Sequence, residues 1–492
     1  MTMDATMDAL PQSAPHHPDN AARNRLVIAI LLVSTFVVFL NETIMSVAIP
    51  HLMNDLGVTA GAAQWLTTAF LLTMAVVIPI TGFLLQRINT RPIFMLAMSV
   101  FALGTLICAL APGIELLIAG RVVQAVGTAI MMPLLMTTVM TLVPPEGRGK
   151  MMGNISIVMS VAPAIGPTIG GFILGHFDWR FMFYFTLPIA IGALILGATR
   201  IRNVTTPRYA PLDVLSVILS ALAFGGIVYG LSSLGEGANH PSPIPSWAPI
   251  AIGLVAMAVF IWRQMRLAQQ NKALLDLRTL QHTNYSIAVL TMAIAMVALL
   301  GSSILLPIYT QNVLGLDTLQ TGMMLLPGGL LMGLMGPVVG RLYDRVGPRP
   351  LLVPGVALVS AVMWALTLVG TTTPIWAVVV GHMTLSFGLA LTFTPLFTSA
   401  LGSVPMPLYS HGSAILGSVQ QVAGAAGIAL FVAVMSLTTA AQAAEGLSGV
   451  EALAAGIRAG FLCGAIISLG MIVTAFFVRR PPDMPGGMSH GH

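Results

Sequence analysis

Fourteen apolar runs, each about long enough to cross a lipid bilayer, leave this chain little choice of fold. They lie near 25–49, 63–85, 93–111, 116–142, 151–174, 181–200, 213–234 and 248–265, then near 284–307, 322–342, 351–369, 375–400, 412–436 and 459–478. A helix crossing about 30 Å of hydrocarbon needs roughly 20 apolar residues. Only 8% of the 492 residues are charged, where soluble domains run near about 25%. The expected class is an all-α polytopic membrane protein. Most connections are short and carry Gly, Pro or charge, as helix stops do; the exceptions fall near 236–247, 266–283 and 437–458. The polar stretch 1–22 has no apolar core or cleavage site, so no cleaved signal peptide is expected and the first span stays in the membrane.

Basic residues set the orientation. Segments on the same side as the N-terminus hold 18 of the 21 Lys and Arg. By the positive-inside rule both ends of the chain are expected in the cytoplasm, which requires an even number of spans. The formal charge of +5 therefore reports membrane topology and gives no reason to expect nucleic acid. An internal repeat divides the chain further. Residues 82–91 match 340–349 at an offset of 258, and Gly120, Arg121 and Gly127 match Gly381, His382 and Gly388 at 261. Repeated halves around a central path mark secondary transporters. The expected division is a disordered tail (1–22), a six-helix half (23–202), two inserted helices with a linker (203–282), a second six-helix half (283–480) and a tail (481–492).

Several chemistries find no support in the residues. Cys108 and Cys463 sit far apart in apolar runs, without disulfide or metal-ligand spacing. No metal site and no cofactor other than a coupling proton is expected. No Gly-Lys-Ser/Thr loop follows a strand, so ATP is not the expected energy source. Nor do paired carboxylates or a Ser/His/Asp set suggest an enzyme.

What does carry chemistry is a small set of ionisable groups inside the spans. Glu42 is an acid deep in the first span, and a carboxyl there is expensive unless protonated, paired or wet. At 1.5 Å per residue it lies about 12 Å below the outer boundary, and Arg121 in the fourth span about 9 Å below it. Two such groups at matching depth are placed to pair directly. The pair is either a proton-coupling device, whose proton affinity changes as the helices move, or a static tie between helices. His382, the repeat counterpart of Arg121, is a candidate proton relay or an interhelical hydrogen bonder. The fifth span carries a dense small-residue face around Gly166, Pro167, Gly170 and Gly171, which lets helices approach closely.

These features resemble the major facilitator superfamily, and within it the fourteen-span drug:proton antiporters of the EmrB/QacA type. Leu40 to Pro50 is similar to the family's first-span motif. Residues 82–91 and 340–349 resemble its loop motif, and Arg121, Gln124 and Gly127 its fourth-span motif. Gly166-Pro167 with Gly170-Gly171 resembles the antiporter motif of the fifth span. The run from His411 to Leu416 and the pair Gln420-Gln421 are similar to the lincomycin-resistance exporter branch. The resemblance implies two six-helix halves with two helices between them and associates Arg121 with proton coupling, while Glu42 and His382 are expected to couple protons from their burial and their place in the repeat. It also implies a cytoplasmic gate at Gly82, Arg87, Arg91, Gly340, Asp344, Arg345 and Arg349. Three departures stand out. The family's first-span Asp is Asn41 here, with Glu42 one step on. Gln86 and Asn89 replace the Asp and Gly of the first loop copy, so the second copy is expected to carry most of the clamp. Ala162 stands where a Gly is usual.

One buried acid suits neutral or weakly basic amphipathic substrates better than dications. Asn41, Gln124 and Gln420 are expected to line the pocket with Met and Phe. The expected activity is proton-coupled multidrug or toxin efflux, lincosamide-type antibiotics included, by alternating access. The alternatives are export of a physiological metabolite or a lipid-handling protein of the same fold. The expected location is the bacterial inner membrane, as a monomer in the lipid bilayer, with a periplasmic adaptor where the host has an outer membrane.

Overall fold

The structure, a computed structural model, describes residues 18–58, 60–203, 213–236, 245 and 247–481. Most of the two polar tails and of the connection near 236–247 lies outside the described residues. Fourteen helices are long and apolar enough to cross a membrane. The first six are α1 (Pro18–Leu56), α2 (Ala60–Arg87), α3 (Thr90–Ala109), α4 (Ile114–Leu142), α5 (Arg148–His176) and α6 (Arg180–Arg200). Then come α7 (Val214–Glu236) and α8 (Trp247–Ala268). The last six are α9 (Thr283–Asn312), α10 (Thr318–Val346), α11 (Arg349–Leu366), α12 (Ile375–Gly402), α13 (Tyr409–Ala444) and α14 (Gly449–Ala475).

Lipid dictates how these helices handle their polar atoms, because no water is at hand to satisfy them. Hydroxyls therefore donate back one turn, as from Thr128 to Gln124 O at 3.0 Å and Thr392 to Gly388 O at 2.7 Å. With no hydrophobic drive between helices in lipid, close backbone approach holds the bundle together. At the α3–α4 crossing a Cβ on Gly120 would stand 2.6 Å from Cys108 Sγ, and one on Gly104 2.8 Å from Gly120 O. Any side chain on either glycine would force these helices apart. Cys108 is part of that packing.

Helices α1–α6 pack among themselves, and so do α9–α14, while α7 and α8 form a hairpin between them. Helix α7 lies along both α2 and α13, so it flanks the seam between the halves. The hairpin is pinned at its base by Asp213, which accepts from Arg263 Nε and Nη2 at 2.7 and 2.9 Å. These bonds hold its carboxyl below the usual carboxylate range. Gln264 extends the tie, donating to Ser216 Oγ at 2.7 Å and accepting from Leu275 N at 3.2 Å. The connection after α8 is thus built rather than loose: a 3-10 turn, Leu277–Gln281, packs against α8, α9 and α13.

The connection expected near 437–458 is mostly helix. Helix α13 continues to Ala444 and α14 begins at Gly449, leaving a turn with Gly446 at φ +97° and a Ser448–Glu451 capping box. Hydropathy marks where lipid ends, whereas helix propensity does not stop there. The Ala-rich stretch 440–444 favours helix in water as well.

Candidate functional site

The seam between the halves is closed at one end. We call this the basic face, because the turns that carry most of the Arg and Lys lie there. Asp344, in the last turn of α10, accepts from the backbone N–H groups of Gly149 and Lys150 at 2.8 and 2.9 Å. A carboxylate is thereby set on the positive N-terminal end of α5. Two turns further along α5, the Ser156 and Thr394 hydroxyls meet at 2.8 Å. On the other side of the seam Gln86 donates to Pro407 O at 2.9 Å, and Thr137 meets Ser413 at 2.9 Å. These cross-half hydrogen bonds all lie toward the basic face.

Glycines make this approach possible. Gly149 faces Gly340, and Gly153 faces Gly336, so closely that a Cβ on any of them would strike the opposite backbone or Asp344. On the α2 side a Cβ at Gly82 would stand 3.0 Å from Ala414 Cβ. The two loop copies are unequal: Asp344 caps a helix with two charge-assisted bonds, whereas Gln86 makes one neutral bond. Arg91 and Arg349 do not span the seam. Arg91 donates to Ala198 O at 2.7 Å at the end of α6, and Arg349 to Val478 O at 3.2 Å beyond α14. Each staples its own half, so the expected gate role of these two arginines is corrected to an intra-half tie. Arg87 lies 5.9 Å over the Phe83 ring, and Arg345 is exposed.

Deeper in the first half, Arg121 is 1% exposed. Its Nη1 donates to Gln124 Oε1 at 2.8 Å and to Asn41 Oδ1 at 3.5 Å, and its Nε to Leu66 O at 3.5 Å. The guanidinium also lies 4.0 Å over the Phe70 ring, a desolvated cation–π contact. Gln124 passes the network on to Thr105 Oγ1 at 2.8 Å, and Asn41 to Thr186 Oγ1 at 3.3 Å. The direct Glu42–Arg121 pair expected from depth alone is therefore corrected. The ion pairs found among the described residues are Arg180–Asp178, Arg263–Asp213 and Arg278–Asp276. Adjacent helical residues point about 100° apart, and it is Asn41 that α1 turns to Arg121. Glu42 is half-buried, with Oε2 buried and unbonded.

The same network withdraws two expected pocket residues. Asn41 and Gln124 are 2% and 0% exposed and have spent both ends of their amides on protein partners. Gln420 keeps a buried Nε2 without a partner. His382 sits on α12 with Nε2 3.2 Å from Leu325 O and Nδ1 unbonded, packed against Gly328 of α10. Gly166 and Gly170 receive α1: a Cβ on Gly166 would strike Thr43, and one on Gly170 would stand 3.0 Å from Ile44 O. Gly171 meets nothing within 4 Å, and Pro167 lies between them in α5. Among the described residues, no cluster of three His, Cys, Asp or Glu is placed to hold a metal.

A closed seam between two six-helix halves, with a buried cation in one of them, is the architecture of a carrier. The chain belongs to the Major Facilitator Superfamily, whose family model matches residues 31–428. It is 40% identical over 458 residues to the MFS-type transporter YcnB of Bacillus subtilis, covering 93% of this chain and 95% of that one. It is 36% identical over 456 residues to the lincomycin resistance protein LmrB of the same organism, at 92% and 95% coverage. The Listeria monocytogenes LmrB is 37% identical over 459 residues, at 92% and 96%. Among solved structures, the human organic anion transporter MFSD10 superposes with a TM-score of 0.68 at 16% identity, covering 92% of this chain and 99% of that one. The proton:xylose symporter XylE gives 0.60 at 14%, covering 92% and 96%; both likenesses concern the fold. The protein is a multi-pass membrane transporter, not an enzyme.

Proposed function

We propose that this transporter is a proton-coupled antiporter that exports neutral or weakly basic amphipathic compounds, lincosamide-type antibiotics among them, by alternating access. The observation that carries the reading is Glu42. It is a membrane-embedded carboxyl with an unbonded buried oxygen, one residue from the amide that holds Arg121. Whether such a carboxyl holds a proton depends on the water and the cation around it. A shift of α1 against α4 and α5 changes both, so proton binding is tied to conformation. The relatives named for lincomycin resistance support an antibiotic as cargo. His382, with one free ring nitrogen, is a second proton-carrying candidate.

The gate would work by exchange. With the seam closed at the basic face, which we take as cytoplasmic, substrate leaves and a proton enters from the other side. Opening must break the Asp344 cap and part the Gly149–Gly340 contact. One proton moving down about 100 mV supplies roughly 2.3 kcal/mol, enough for about fifty-fold accumulation of a neutral solute. The test is lincomycin flux in proteoliposomes under an imposed pH gradient. Flux that collapses with the gradient is expected, and flux indifferent to it contradicts proton antiport.

A further inference from the structure

The membrane interior of α13 holds two carboxamide nitrogens, Gln420 Nε2 and Gln421 Nε2, that are buried and without a hydrogen-bond partner. Leaving a buried donor unpaired costs about 1–3 kcal/mol, and such groups are few in native structures. Two in succession, in the middle of an otherwise apolar helix, call for a ligand that satisfies them.

Their place in the fold says where that ligand sits. Ser413 bonds Thr137 of α4 across the seam, and a Cβ on Gly417 would stand 3.0 Å from Ile78 of α2. Residues three, four and seven positions apart share one face of a helix. Ser413 and Gly417 thus mark the face that α13 turns toward the first half, and Gln420 and Gln421 continue it before Gly424 turns to Leu300 of α9. Below, from Tyr409 to Leu416, α13 is wholly buried; from Val419 to Val422 it is half-buried. The two glutamines thus lie one turn past the wholly buried stretch, about 5 Å above the Gly417–Ile78 contact at 1.5 Å per residue. From Gly412 to Ala444 α13 carries no charged residue, and neither does α2 before Arg87. Across from them, Arg121 of α4 is already engaged by Gln124, Asn41 and Phe70.

We propose that Gln420 and Gln421 form a carboxamide subsite that binds the hydroxyl, ether or carbonyl oxygens of an uncharged polar group on an amphiphilic substrate. The inference deepens the export reading and rests on it for the identity of the pocket. It makes recognition depend on neutral hydrogen bonds rather than on charge. Such a site rejects molecules of similar size that lack the matching oxygens, because their binding leaves its donors unpaired.

The test is equilibrium binding of radiolabelled lincomycin, which carries an amide and several hydroxyls, to the full chain in lipid nanodiscs. Tetraphenylphosphonium, which has no hydrogen-bonding group, is the comparison probe. Gln420→Leu and Gln421→Leu should each weaken lincomycin binding at least tenfold, with any tetraphenylphosphonium binding unchanged. Thermal stability should hold or rise, since no protein bond is lost. Gln421→Asn should fall between wild type and Gln421→Leu. Unchanged lincomycin affinity in both leucine variants, or no lincomycin binding by the wild type, overturns the site. Loss of stability in the leucine variants overturns it as well, since the amides would then serve the fold. Because binding is read without a gradient, wild-type binding with no gradient-driven flux would defeat proton coupling and leave the carboxamide site standing.

Discussion

Removing the Asp344 carboxylate should unlock the seam. In the closed state this side chain accepts two backbone bonds at the N-terminus of α5, at 2.8 and 2.9 Å. Hydrogen bonds to a charged group are worth about 1.5–3 kcal/mol, a range that includes the favourable field of the helix end. All of this exists only while the halves touch, so Asp344→Ala should shift the closed-to-open ratio by about 2 kcal/mol, or roughly thirtyfold. Asp344→Asn keeps one acceptor oxygen and loses the charge, so its shift should be smaller, about fivefold for roughly 1 kcal/mol. Gly340→Val attacks the same contact by bulk, because its Cβ would collide with Gly149 O. Spin labels on Arg202→Cys and Pro350→Cys, both at exposed positions, report the opening of the basic face by electron–electron distance. The distance distribution should move to longer values in the order Asn, then Ala, with Val also open. If Asp344→Ala leaves the distribution as in wild type, the cap does not hold the gate and this account of it fails.

Two further outcomes follow from polar contacts elsewhere. Asn41→Leu strips Arg121 of one acceptor and Thr186 of its donor, so thermal stability should drop by about 1–3 kcal/mol; Asn41→Asp, which sets a carboxylate before the guanidinium, should be at least as stable as wild type, and a lower melting temperature would contradict the contact. The second concerns pH. Arg263 depresses the Asp213 carboxyl in the folded state, so this group adds stability above its ordinary titration range and loses it as pH falls through the depressed folded value. Acid melting curves of wild type and Asp213→Asn should therefore converge at low pH and separate above it, with wild type the more stable; parallel curves would argue against the tie.

The fourteen helices were legible because lipid imposes a length on every span, and only the ends went astray. Helix α13 outran its apolar segment for reasons that hydropathy does not record. The gate was half legible. Asp344, Gly82 and Gly340 show in the repeated motif, whereas the pairing of Gly149 with Gly340 and of Gly153 with Gly336, like the pairs Ser156–Thr394 and Thr137–Ser413, 238 and 276 residues apart, leaves no trace in a single sequence. Depth along a helix placed Glu42 beside Arg121 but did not give the rotation of α1, and one residue of rotation exchanged the acid for Asn41. The same limitation put Asn41 and Gln124 in the pocket, although their partners Thr186 and Thr105 come from other helices. Phe70, under the guanidinium, is an unremarkable apolar residue until α2 and α4 are packed together.

Glu42→Gln tests the central claim most directly, through two fluxes of one substrate in the same proteoliposomes. Glutamine keeps the size and hydrogen-bonding capacity of a protonated glutamate but has no proton to release. Gradient-driven lincomycin transport should fall to background, while exchange of labelled for unlabelled lincomycin at equal pH should persist, since that exchange needs only the moving halves. If gradient-driven transport survives the substitution, Glu42 is not the proton carrier. If both fluxes vanish in a protein that is still folded, its role lies in the motion itself, and the coupling assigned to α1 is wrong.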